Sequence, residues 1–377
     1  MNILVTGARA PIAADIARVL ASAGHRVFTT DSLRFPVGRF APGIAGYVRM
    51  PAPRLDFPAF AAAIHRCCAE KSIELVIPTS EEVFWLAQVP TWPAECRLMA
   101  PSAAVLEQMH DKGNFAQLAN ALGIGAGTSH LLGSLAEATN FLWDHNPADF
   151  VFKPVFSRFA TRVLVSPTAD KVRAQQFDSH NPWLAQPRVY GEEVCLYNIA
   201  HDGELLLHVA YRPRWRAGKG ASIYFEPVED ASLRELSARV ARATSFTGQM
   251  SFDVILTTAG PVAIECNPRG TSGVHLVAQA PKEFARALLG ESARVAHLAP
   301  RMLAVPLLMY HPRLLVSAEG RQGWGIARDA MREAGVPLYA QLVATSELLL
   351  RSVGRGADPL AAATADIEWN GSGTPNS

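Results

Sequence analysis

The chain has 377 residues, 49% of them hydrophobic and 18% charged, with a formal net charge of +1. That length holds about two or three ordinary globular cores, and so even a charge balance provides no field for nucleic acid or an anionic membrane surface. The five cysteines, Cys67, Cys68, Cys96, Cys195 and Cys266, are odd in number and lack zinc-ligand spacing, which excludes a disulfide framework or a structural zinc site.

In chain order, Ile3-Leu4-Val5 reads as a short buried strand ending at Gly7. Pro11 to Ala23 carries apolar residues at helical spacing, Val27 to Thr30 is a second strand closing on Asp31, and Leu75-Val76-Ile77 is another. Such alternation predicts a parallel sheet covered by helices. The N-terminus carries no secretion-signal pattern, and no stretch approaches the ~20 apolar residues of a membrane span. A cytoplasmic protein without a membrane or nucleic-acid partner is expected, and a homodimer is compatible with the composition.

A dinucleotide-binding protein places its glycine turn where Val5 to Ile12 stands, and Asp31 is positioned to meet a ribose. Yet only Gly7 is a glycine, Arg9 and Pro11 occupy positions that need small residues, and no Tyr is followed by a Lys four residues later. A structural α/β domain is expected, with an NAD(P)-dependent oxidoreductase as the weaker alternative.

From Pro101 a second unit begins, with Ser102 and Asp111 as helix caps and Gly123 as a stop. From Phe150 the pattern turns to antiparallel strands. Glu193 to Ala200 and Glu204 to Tyr211 flank a turn at His201-Asp202-Gly203, and Ser251 to Leu256 and Pro261 to Cys266 form a second hairpin. Beyond Pro300, short strands mix with a helix near Gly325 to Ala334, and the tail from about Asn370 reads as disordered.

The second hairpin carries the chemistry. Side chains alternate along strands, so Ser251, Asp253 and Ile255 share one face, and Ala263, Glu265 and Asn267 share another. If the faces coincide, two carboxylates and a carboxamide converge, an arrangement that a cation relieves and that suits Mg²⁺. Arg269, just beyond Pro268, is placed to reach an anion on that metal. A salt-bridged sheet surface is the bland alternative.

Glu265-Cys266-Asn267-Pro268-Arg269 resembles the E-x-N-P-R metal motif of the ATP-grasp superfamily. The likeness is to its carboxylate–amine ligases and to the ATP-grasp domains of biotin carboxylase and the carbamoyl-phosphate synthetase large subunit. It implies a Rossmann-like parallel α/β domain (1–100), a two-lobed ATP-grasp domain with antiparallel sheets (101–299) and a small C-terminal α+β region (300–377). It also implies ATP and Mg²⁺, with Mn²⁺ as a further hard cation, and a metal set of Asp253, Glu265 and Asn267. Asp111-Lys112 resembles the family's D-K, with Lys112 on the α-phosphate. Phe152-Lys153-Pro154 resembles its phosphate-binding strand. Gln186, Pro187, Arg188 and Val189 resemble the adenine hinge, and Glu193 matches the ribose-binding carboxylate.

One departure stands out. The loop expected to be glycine-rich, Val155 to Arg162, contains no glycine. Ser157, Thr161 and backbone amides are left to reach phosphate, with Arg158 or Arg162 as electrostatic substitutes. The resemblance implies activation of a small carboxylate as an acyl phosphate and capture by an amine, with Arg269 and Lys153 catalytic and Arg269 touching substrate. Arg214 and Arg216, in the basic segment Tyr211 to Gly220, are expected either to bind the acid or to form a solvated face. His275 is expected to be structural. A kinase-like phosphotransferase and a non-catalytic nucleotide-binding module are the competing readings of the same site.

Overall fold

The structure is a computed structural model that describes residues 1–160, 162–218, 220–356 and 359–371. Thr161, Lys219, Ala357, Asp358 and the tail residues 372–377 lie outside the described residues.

The N-terminal sheet comprises β1 (Asn2–Val5), β2 (Arg26–Asp31), β3 (Gly46–Arg49), β4 (Leu75–Ile77) and β5 (Arg97–Leu98). All pairings are parallel and the order is β3-β2-β1-β4-β5, the Rossmann-like arrangement that strand–helix alternation predicts. Both faces are covered. Ile3 and Val5 pack with Ile12 and Ile16 of the helix Pro11–Ser22, whereas Leu4 packs with Phe60 and Ile64 of the helix Phe57–Glu70.

The glycine turn of this domain is filled by its own side chains. Arg9 Nη2 lies 2.7 Å from Asp31 Oδ1, and the same carboxylate accepts the backbone N–H groups of Arg9 and Leu33. A Cβ on Gly7 would stand 2.6 Å from Glu82 Oε1 and Thr79 Oγ1. Asp31 is thus occupied where a ribose would need it, which removes the basis for the oxidoreductase alternative.

A small antiparallel sheet follows, made of β6 (His130–Leu132), β7 (Phe150–Pro154), β8 (Leu164–Val165) and β9 (Trp183–Pro187) in the order β6-β9-β7-β8. The large sheet begins with β10 (Glu192–His201) and β11 (Glu204–Pro213), and a two-stranded ribbon, β12 (Arg216–Ala217) and β13 (Ala221–Ser222), leaves it. It continues with β14 (Tyr224–Val228), β15 (Gly248–Thr257), β16 (Gly260–Asn267), β17 (Arg301–Met302) and β18 (Arg328–Asp329), in the order β16-β15-β10-β11-β14-β17-β18. Only β17 and β18 pair in parallel.

Alternation divides this sheet between two cores. Val194, Leu196, Phe252 and Val254 pack with Phe115 and Val240 from the helices Lys112–Ala121 and Ala231–Thr244. Cys195, Tyr197, Ile199 and Val209 face the core shared with the N-terminal domain. His275 belongs to that junction: its Nδ1 lies 2.6 Å from Asp15 Oδ2 and both are buried, a structural role as expected.

The C-terminal part is more helical than anticipated. The helix expected near Gly325 to Ala334 is two, Ala318–Ile326 and Ala330–Glu333, separated by β18. A long helix, Leu338–Arg355, follows without having been signalled. Asn370, expected in a disordered tail, is held by Arg158 (2.9 Å), and Trp369 beside it is buried. Among the described residues, no helix is long and apolar enough to cross a membrane.

Candidate nucleotide and metal site

A cavity of about 650 Å³ lies between the small sheet and the large one, lined by β7, the loop after it, the 186–189 hinge, β10, β15 and β16. Its size suits a nucleotide-class ligand. The pairing of β15 with β16 sets Asp253 opposite Glu265 and Ser251 opposite Asn267, with a bulge just after Asp253. Ser251, Asp253, Glu265 and Asn267 therefore meet as alternation anticipates, but the bulge sets Ala263 opposite Val254 and packs it in the core with Phe252, so it does not share their face.

Facing carboxylates repel one another. Burial first, and then Glu265 and Glu193, push the Asp253 carboxyl up to about 6. Two ammonium groups offset Glu265: Lys112 Nζ at 3.3 Å and Lys153 Nζ at 3.8 Å. Burial pulls Lys153 down to about 8, even though Glu265 works against that shift. No group of three or more His, Cys, Asp or Glu suited to a metal occurs among the described residues. Two carboxylates and an amide, all hard oxygen donors, fit Mg²⁺, which takes its remaining ligands from phosphate and water, and do not fit a thiolate–imidazole metal.

Lys153 stands near the end of β7, and its Nζ donates to the Ile264 carbonyl at 3.0 Å. Lys112 begins a helix capped by Asp111, which accepts the Asn114 N–H at 2.8 Å. Its Nζ donates to the Val155 and Ser157 carbonyls (3.3 and 3.1 Å). Lys112 thus holds the loop that follows β7 and is not among the cavity-lining residues. Gln186, Pro187, Arg188 and Val189 all line the cavity. Arg188 is tied back through its N–H to Asp149 O (2.8 Å) and through Nη1 to Ser166 Oγ (2.6 Å). Glu193 also lines the cavity, ion-paired with Arg216.

The glycine-free loop adopts the backbone that glycine favours. Phe159 and Ala160 have φ of 55° and 51°, in the left-handed region. Such conformations cost non-glycine residues on the order of 1 kcal/mol each, so other contacts must hold them. Ser157 Oγ donates to Pro154 O at 3.0 Å. Arg158, anticipated as a phosphate contact, instead donates from Nε to both Glu81 oxygens (2.7 Å each). Arg162 lies over the Trp183 ring at 5.3 Å. The ribbon closes against the loop, and a Cβ on Gly220 would be 2.3 Å from the Phe159 carbonyl carbon.

Of the two arginines expected to meet the acid, Arg216 lines the cavity and Arg214 does not. Arg214 pairs with Glu226 at 3.0 Å and Glu319 at 3.3 Å and lies over the Trp215 ring. Arg269 is in the cavity wall, its Nη2 3.3 Å from Asn267 Oδ1 and 3.8 Å from Glu81 Oε1, and its buried Nε has no hydrogen-bond partner among the described residues. The reading of the sequence overlooked Glu81 and His110. Burial alone would raise the Glu81 carboxyl, but the Arg158 guanidinium overrides it and holds the group at about 2. Burial pushes His110 down to about 3, so this cavity-wall imidazole is neutral. The available signal was the acidic pair Glu81-Glu82 running directly into apolar Val83-Phe84-Trp85.

No protein-family model and no curated protein matches the chain. Solved structures do. Phosphoribosylamine–glycine ligase from Thermotoga maritima aligns with a TM-score of 0.62 at 12% identity, over 80% of this chain and 78% of that one. L-amino acid ligase from Bacillus licheniformis aligns at 0.59 and 16% identity, over 80% of each chain. The biotin carboxylase domain dimer of Hydrogenobacter thermophilus 2-oxoglutarate carboxylase, solved with MgADP, ADP and bicarbonate, aligns at 0.61 and 16% identity, over 80% and 74%. These are ATP-grasp enzymes. The parallel N-terminal domain, the two antiparallel sheets and the cavity between them give this chain the ATP-grasp fold.

Proposed function

We propose that the protein is an ADP-forming ligase that activates a small carboxylate with ATP and joins it to an amine. The observation that carries this reading is the pairing of Asp253 with Glu265 in a cavity that also holds Lys153 and Arg269. Two ligases among the structural relatives, and a third relative solved with MgADP, support it.

In this reading the hinge at 186–189 receives adenine and Glu193 the ribose. Lys153 neutralises the outer phosphates, and Lys112 holds the loop and the orientation of Glu265. Asp253, Glu265 and Asn267 would hold Mg²⁺, which would supply neutralisation of phosphate charge. A carboxylate oxygen of the acid attacks the γ-phosphorus, the bond to the bridging oxygen breaks, and ADP leaves. The amine nitrogen then attacks the acyl carbon, inorganic phosphate departs with the bonding pair, and the ammonium proton passes to water. Arg269 stabilises charge developing on the acyl phosphate. Arg216 is the better candidate to orient the acid, because Arg214 is engaged away from the cavity.

The test is an ADP-release screen over amino acids and small carboxylates, with and without amines, reading products by mass spectrometry. ADP and phosphate formed one-to-one with an amide are expected. ADP formed with a stable phosphorylated acceptor and no amide would make the protein a phosphotransferase.

A further inference from the structure

Residues 366–371 run from the N-terminal domain to the edge of the cavity. At one end Asp366 is buried against Arg9, accepts the Ser32 hydroxyl at 2.7 Å and takes Arg351 Nη1 at 3.0 Å. Trp85 Nε1 donates to the Ile367 carbonyl at 2.9 Å. At the other end the Trp369 ring stacks on Phe84, with centroids 5.0 Å apart, and meets Phe156 edge-on at 5.9 Å. Arg158 donates from Nη2 to Trp369 O (2.7 Å) and from Nη1 to Asn370 Oδ1 (2.9 Å), while the Trp369 N–H approaches Glu81 Oε2 at 3.4 Å. Phe156 and Arg158 both belong to the loop that follows Lys153.

We propose that residues 366–371 form a strap that fixes the loop 155–160 over the outer phosphates of a nucleoside triphosphate, with Trp369 as a positioning residue. The role as a phosphate cover rests on the nucleotide reading of the cavity; the strap itself does not. A loop without glycine, bent through two left-handed residues, does not hold that shape by local preference. The strap supplies the missing constraint through apolar contact on Phe156 and a guanidinium whose remaining donors meet the strap's carbonyl and amide. Arg158 is charge-compensated by Glu81, so it transmits geometry from the strap to the loop.

The full-length wild type is compared with Trp369→Ala, Trp369→Phe and Asn370→Ala. Hydrogen exchange of amides 155–160 is measured without nucleotide, and MgATP and AMP binding by calorimetry. In Trp369→Ala, exchange at 155–160 is expected to quicken by about tenfold or more, with amides of β10 and β15 unchanged. MgATP affinity should fall about tenfold and AMP affinity should hold, since AMP lacks the outer phosphates. Trp369→Phe should restore most of both. Wild-type exchange at 155–160 in Trp369→Ala overturns the strap. If that variant also loosens β10 and β15, Asn370→Ala decides, with about threefold faster exchange at 155–160 expected and no change overturning the proposal. A wild type that binds neither nucleotide would sink the nucleotide reading, and the exchange data would still decide the strap.

Discussion

Two residues show how burial sets the charge available at the site. Lys153 is buried and burial holds it down to about 8, so on the proposed reading phosphate would supply solvation that the cavity withholds. Lys153→Ala should weaken ATP binding more than ADP binding, by about tenfold or more for ATP, because the lost partner lies nearest the outer phosphates. Calorimetry on both nucleotides checks this, and equal losses would move Lys153 away from the γ-phosphate. Glu81 makes a prediction in pH. Its folded value of about 2 lies below the ordinary 4.5 that the unfolded chain shows. Its contribution is therefore complete above about 4.5 and is lost as pH falls through about 2, on the order of 3 kcal/mol in all. Glu81→Gln should be less stable at neutral pH but lose less on acidification, read as the urea midpoint between about pH 5 and 2.5. Parallel curves for the two proteins would contradict the Arg158–Glu81 assignment. The Arg158–Glu81 pair was not legible in the chain, because an acidic pair beside an apolar run gives burial no partner until Arg158 arrives from 77 residues away.

The elements divide by whether local rules or distant packing shaped them. The hairpin of β10 and β11 was legible because Asp202 and Gly203 both take positive φ (47° and 82°), the turn that such a pair favours. In β15 and β16, alternation anticipated that Asp253 and Glu265 meet, but not the bulge that turns Ala263 into the core. The helix Ala318–Ile326 was not legible, since Gly320, Gly323 and Gly325 lower its intrinsic preference and packing decides. The helix Leu338–Arg355 leaves Leu350 and Val353 exposed at 74% and 81%, so its apolar positions do not report a buried face. Between the ribbon and the loop that follows β7, contact is close enough to predict from. Gly220→Ala would drive a methyl group into the Phe159 backbone, which side-chain rotation cannot relieve. MgATP affinity should fall about tenfold, the scale of one lost charged hydrogen bond, with unchanged circular dichroism. Wild-type affinity would mean that the loop's position does not matter to binding.

At the scale of the whole molecule, the α/β-then-antiparallel order and the hairpin that sets Asp253 opposite Glu265 were readable, but the joints between units were not. Arg9 meets Asp31 and Asp366, and Asp15 meets His275, across separations in sequence of 357 and 260 residues at the widest. Such buried pairs cost about 3–5 kcal/mol when one partner is lost, so they fix how the units sit around the cavity. They also explain why Asp31 serves the fold where a dinucleotide-binding protein would use it for ribose. On the proposed reading, the cavity between the two sheets binds ATP through a cation held by Asp253 and Glu265. The most direct test of that reading is calorimetric titration of ATP into wild type and Glu265→Gln, each with Mg²⁺ and with a chelator. Wild type should bind ATP at least about tenfold more tightly with Mg²⁺, and Glu265→Gln should lose that difference while remaining folded. Equal affinity with and without Mg²⁺ in the wild type, or a full Mg²⁺ effect retained in Glu265→Gln, would contradict it.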